Sequence, residues 1–231
     1  MDWLSPEEWM AVRLSLRVSF WATLISLPFG VLTALALARG RFWGKSLLNG
    51  LVHLPLILPP VVTGYLLLIL FGRRGPIGSF LEDTFGIVFA FRWTGAALAC
   101  AVMGFPLMVR AIRLAIEAVD PKLEDAAGTL GANRLWTFAV VTLPLILPGI
   151  LAGAILAFAK AMGEFGATIT FVSAIPGQTQ TLPTAIYAFL QVPGGEASAM
   201  RLVLVSIILA MGALLVSEAV ARRVAKRIAA R

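Results

Sequence analysis

Residues 117–150 read EAVDPKLEDAAGTLGANRLWTFAVVTLPLILPGI. The stretch is polar, rich in small residues and marked by helix caps, inside a chain that is otherwise close to continuous hydrocarbon. Asp120 before Pro121 is a helix start: a capping side chain, then a residue whose φ is already set for a first turn. Glu124 and Asp125 fall in the early turns, where carboxylates suit the positive end of the helix dipole. Ala126, Ala127 and Gly128 leave one side nearly free of side chains. Gly131 ends the short helix. Asn133 caps a second one, along which Leu135, Phe138 and Thr142 recur at helical spacing before Leu143-Pro144 opens the next apolar run. The predicted shape is a helical elbow over 117–144 whose small-residue face lets another protein approach closely. A plain helix–glycine–helix connector is the competing reading. A DNA-binding helix-turn-helix is disfavoured, because Glu117, Asp120, Glu124 and Asp125 outnumber Lys122 and Arg134.

Outward from the elbow, the composition sets the class. Of 231 residues, 59% are apolar and only 13% charged, with a mean hydropathy of +0.91; soluble domains run near 25% charged. Apolar runs suited to spans lie near 14–38, 47–71, 93–112, 139–162 and 202–220, close to the roughly 20 residues a helical crossing needs. The fold class is therefore an all-α, polytopic membrane helix bundle of about five spans, one transmembrane domain over 1–231. A sixth crossing hidden in 163–197 is the alternative.

Lysines and arginines set the orientation. With the N-terminus outside, the cytoplasmic side holds Arg39, Arg41, Lys45, Arg110, Arg113, Lys122, Arg134 and the tail Arg222, Arg223, Lys226, Arg227 and Arg231. These outnumber Arg13, Arg17, Arg73, Arg74, Arg92, Lys160 and Arg201 on the other side. The net charge of +7 thus reports topology and not nucleic acid. The acidic start, with Asp2, Glu7 and Glu8, and the long first run ending at Arg39 argue against a cleaved signal peptide.

The spans are interrupted by Pro28, Gly30, Pro55, Pro59, Pro60, Gly104, Pro106, Pro148 and Gly149. Membrane helices tolerate such residues because neighbours satisfy the freed backbone groups, and together they favour helices bent around a cavity. Cys100 reads as a small packing residue and His53 as a helix-end histidine. Gly40-Arg41-Phe42-Trp43-Gly44-Lys45-Ser46 is the nearest thing to a phosphate loop, but it has three residues between its glycines where four are needed. No HExxH, paired-cysteine set or nucleophile triad is present, so neither catalysis nor a bound metal or cofactor is expected of this chain alone.

The spacing Asp125-Ala126-Ala127, three residues, Gly131, nine residues, Val141, one residue, Leu143-Pro144 resembles the EAA signature of ABC-importer permeases. Asp stands where the family has Glu, Val stands for Ile, and Glu124 adjoins the triplet. More narrowly, 53–62 (HLPLILPPVV), 105–113 (FPLMVRAIR) and 163–171 (GEFGATITF) resemble the permease subunits of bacterial molybdate transporters. That resemblance implies a type I (MetI-like) permease core in the inner membrane, working as a homodimer. It implies two cytoplasmic ATP-binding subunits docked on the elbows and a periplasmic oxyanion-binding protein that delivers cargo. Glu124, Asp125, Ala126, Ala127, Gly131, Leu143 and Pro144 become the coupling residues. Tungstate or sulfate/thiosulfate is the alternative cargo, and a stand-alone secondary transporter or channel the alternative class.

A dianionic cargo directs attention to ionisable groups at membrane depth. Lys160 and Glu164, four residues apart, meet on one helix face. They read either as a mutually neutralised pair or, with the hydroxyls of Thr168 and Thr170, as part of the path: Lys160 adds positive potential and Glu164 prevents tight trapping.

Overall fold

In the computed structural model, which describes residues 3–229, every regular element is a helix. Asp2 and Arg231, counted in the charge reading above, lie outside the described residues. The chain runs α1 (Pro6–Arg39), α2 (Lys45–Ile57), α3 (Pro60–Phe71), α4 (Pro76–Phe85), α5 (Trp93–Glu117), α6 (Pro121–Thr129), α7 (Arg134–Thr137), a π-turn (Phe138–Thr142), α8 (Leu143–Met162), α9 (Gly166–Val172), α10 (Leu182–Leu190) and α11 (Glu196–Ala229).

Helix α1 starts with a capping box. Ser5 accepts the Glu8 N–H at 3.2 Å while Glu8 accepts the Ser5 N–H at 2.8 Å, which satisfies two groups the helix itself cannot. At its far end the Arg39 guanidinium donates to the Val119 and Ile116 carbonyls just past and within the end of α5. Nearer its start Arg17 lies 3.8 Å over the Trp93 ring that opens α5. So α1 and α5 run parallel, and residues 40–92 must carry the chain back across. Helix α8 lies antiparallel to α5: Gly149 faces Ala115, Gly153 faces Met108 and Ile112, and Gly104 faces Ala157. Arg201 at the start of α11 binds Glu8 at 2.6 Å, so α11 returns alongside α1. The order of transits is α1, 40–92, α5, α8, α11.

Four of these helical stretches are long and apolar enough to cross a membrane, and α2 with α3 makes a fifth if the bent pair counts as one. That pair is where the structure departs from the expected single span over 47–71. It breaks at Leu58-Pro59 and turns by 116°. Pro59 and Pro60 have no N–H to continue the ladder, and a residue preceding proline is pushed out of the helical region; Leu58 sits at φ −70°, ψ 144°. The region 163–197 adds no crossing among the described residues. Helices α9 and α10, at about 1.5 Å per residue, span roughly 10 and 14 Å against a hydrocarbon core of about 30 Å.

The core lies between α1, α5 and α8, with α9 joining at the far end, and mixes alanines with larger apolar side chains. Its elbow-end half gathers Ala34, Leu37, Met108, Ile112, Ile116 and Ile146, and its far-end half Val18, Ala96, Ala99, Cys100, Ala161, Ala167 and Phe171. Without a hydrophobic drive between helices in lipid, close backbone approach is what holds them, and alanine and glycine permit it.

Candidate functional site

The elbow forms as its residues predict. Asp120 accepts the Lys122 N–H at 3.0 Å, Pro121 opens α6, and Asn133 accepts the Trp136 N–H at 2.8 Å to cap α7. Between them Gly131 sits at φ +86°, a conformation that costs a residue with a side chain dearly. Its N–H reaches the Gly128 carbonyl and the next N–H reaches Ala127, the paired bonds of a Schellman motif. One detail differs: the second helix does not run evenly into the span. Over Phe138–Thr142 it widens into a π-turn, with the Leu143 N–H bonded back to the Phe138 carbonyl. The cause is Pro144, which offers no N–H to the Val140 carbonyl and whose ring would strike it in a regular helix.

Helix α6 buries none of its residues. Asp125 and Ala126 are exposed and Ala127 is half-buried, while space around Gly128 and Gly131 is open. Leu130 and Leu135 are 89% and 82% exposed. A cavity of about 410 Å³ lies between Ala127, Leu130, Gly131, Trp136 and Val140. Leu143 and Pro144 stand beyond it at the root of α8. The two adjacent carboxylates part company. Glu124 turns inward, where its Oε1 accepts the Thr142 hydroxyl at 2.8 Å and lies 3.6 Å from Arg39; Asp125 faces out.

At the other end of α8, Lys160 and Glu164 meet at 2.7 Å. Glu164 is 1% exposed, and its second oxygen accepts the Ala167 N–H at 2.9 Å, so it also caps α9. The Thr168 hydroxyl is buried and bonded to the Glu164 and Phe165 carbonyls, and that of Thr170 to Gly166. Each hydroxyl donates to a carbonyl within or just before α9; Thr168 is fully buried and Thr170 half-buried. Among the described residues no three His, Cys, Asp or Glu side chains gather as metal ligands.

Two side-chain groupings are not foreseen by the sequence. Arg39 counted there only as an orientation charge, and Thr142 only as a position on the second helix, without its link to Glu124. The only hint was that Arg39 ends the first apolar run. The Glu8–Arg201 pair, 193 residues apart in sequence, has no local signature at all.

An elbow of two capped helices set between long apolar spans is the build of a transporter's membrane subunit. The chain belongs to the family of binding-protein-dependent transport system inner membrane components, whose profile matches residues 26–229. It is 63% identical over 219 residues to the molybdenum transport system permease protein ModB of Escherichia coli (strain K12), covering 95% of this chain and 96% of that relative. It is 55% identical over 218 residues to the protein of the same name from Haemophilus influenzae, covering 94% and 95%. Its fold matches a chain of a bacterial ABC transporter that imports alginate, with a TM-score of 0.75 at 19% identity over 95% of this chain and 80% of the other. The protein is thus a multi-pass inner-membrane component with the importer-permease fold.

Proposed function

We propose that this chain is the membrane-spanning permease subunit of an ATP-driven importer that carries molybdate across the inner membrane. The observation that carries the reading is the elbow: an exposed, fully capped helix pair with an open Ala126–Gly128–Gly131 face. Nothing in the bundle covers that face among the described residues, which suits docking of a separate ATPase. Identity of 63% and 55% to molybdenum permeases over nearly the whole chain supports the cargo.

Two copies form the pathway, two cytoplasmic ATP-binding subunits sit on the two elbows, and a periplasmic protein delivers the oxyanion at the opposite end. The elbow then lies in the cytoplasm. The N-terminus lies in the periplasm, which agrees with Arg39 and the start of α1 falling at opposite ends of the bundle. Glu124, Asp125, Ala126, Ala127, Gly131, Leu143 and Pro144 serve coupling. Lys160, with Glu164 as counter-charge, flanks the periplasmic mouth, and Thr168 and Thr170 continue the path beside them.

Reconstitution of the chain with its ATPase and binding protein in liposomes tests the whole reading. Labelled molybdate should accumulate only with ATP inside and loaded binding protein outside. Uptake without ATP would make the protein a channel or secondary transporter, and stronger competition by sulfate or tungstate than by unlabelled molybdate would reassign the cargo.

A further inference from the structure

Helix α6 lacks a buried face, so little apolar packing holds it to the bundle. Among the described residues its only side-chain bonds to the rest of the protein run through Glu124. On one side Glu124 reaches Thr142, buried at the last position of the π-turn and so at the root of α8. On the other it reaches Arg39, the last residue of α1. The same Arg39 nitrogen holds the Val119 carbonyl at 3.1 Å and the Ile116 carbonyl at 3.4 Å, where the free carbonyls at the end of α5 favour a cation. One guanidinium and one carboxylate therefore join four elements.

We infer that Arg39 is a positioning residue for transport. It ties movement of the elbow to α1 and α5, with Glu124 and Thr142 as the links to α6 and α8. The inference deepens the coupling role proposed above and rests on it. It divides the work of the adjacent carboxylates: Asp125 faces the ATPase, and Glu124 passes the motion inward. All three contacts converge on one terminal nitrogen of the guanidinium, which the planar, permanently charged head holds in place, whereas a lysine ammonium is a strongly hydrated point charge on a flexible stem. The π-turn lies beside the node, a wide turn of the kind that recurs at functional sites. It lets the root of α8 shift relative to α7 without breaking the span.

The test uses the complete transporter in liposomes, read by labelled molybdate uptake and by ATP hydrolysis with and without loaded binding protein. Arg39→Met should keep the ATPase attached and basal hydrolysis intact, lose stimulation by the binding protein, and lower uptake about tenfold, the scale found for residues that carry coupling. Arg39→Lys should recover only part of the stimulation. Glu124→Gln should lose stimulation by the binding protein as far as Arg39→Met does, and the double variant should be no worse in stimulation than either single one. Thr142→Val leaves both charges in place, so it decides the matter if Arg39→Met does not reach the membrane; it should also weaken stimulation. Normal stimulation in these variants, losses that multiply in the double variant, or detachment of the ATPase from Arg39→Met would each overturn the relay. Gly128→Trp probes docking alone: an ATPase that still binds this variant defeats the elbow reading, whatever Arg39 does.

Discussion

The two connectors that flank α8 use the same parts, short helices joined by tight turns, and finish them in opposite ways. In the elbow, α6 buries nothing, and the polar groups of Asp120 and Asn133 close helix ends in the open. In the connector between α8 and α11, Ala167, Thr168, Phe171, Thr179, Thr181, Leu182 and Thr184 are all buried. Every one of those hydroxyls has a partner inside the protein. Where water is scarce, polar groups must be satisfied internally; where a surface is kept for a partner, caps suffice and apolar side chains such as Leu130 stay out. The difference separates a part that is packed from a part that is presented.

Glycine substitutions test that separation most sharply. At Gly128 the space is empty, so Gly128→Trp should leave the detergent unfolding midpoint unchanged yet weaken ATPase association by at least about thirtyfold, as losing an interface hot spot does. At Gly64 an added Cβ meets the Ala167 carbonyl oxygen at 2.5 Å. Gly64→Leu should therefore destabilise by about 1–3 kcal/mol through overpacking, seen as a lowered midpoint, while the folded fraction binds ATPase normally. The reverse pattern would mean that the presented and packed regions are misassigned. A smaller effect is expected at Asp120→Ala, where loss of the cap costs about 1 kcal/mol. Hydrogen exchange should quicken in 121–129 and not in 166–190.

The smallest effect is expected at the far end. Lys160→Met alone would strand the buried Glu164, so the informative variant is Lys160→Met with Glu164→Gln, which removes both charges and retains an acceptor for the Ala167 N–H. Uptake should fall by less than about fivefold, because removing both charges of a buried pair leaves no stranded charge behind. Uptake at the unsubstituted rate would take the pair out of the pathway.

What could be read from the sequence follows the same division. The elbow was legible residue by residue, because caps, Pro121 and Gly131 act on their own neighbours within a turn. The spans were legible from hydropathy, but not the 116° bend in 47–71: two adjacent prolines announce a break without saying how far the chain turns. The Lys160–Glu164 contact was visible as a four-residue spacing. Burial of Thr168 was not, since a short run of small hydroxyl residues reads equally as a lining or as a core. Arg39 and Glu8 depend on partners 85 and 193 positions away, and no periodicity encodes such distances.

The glycine seam between α5 and α8 has a mechanical consequence. Gly149, Gly153 and Gly104 bring the two backbones so close that moving one helix alone would open or crush the seam, so a tilt of one carries the other with it like a single beam. Helix α8 is about 30 Å long at its ordinary rise, so tilting the beam by about 5° at one end swings the other by about 3 Å. On the coupling role proposed above, a push at the elbow would reach the opposite face as leverage.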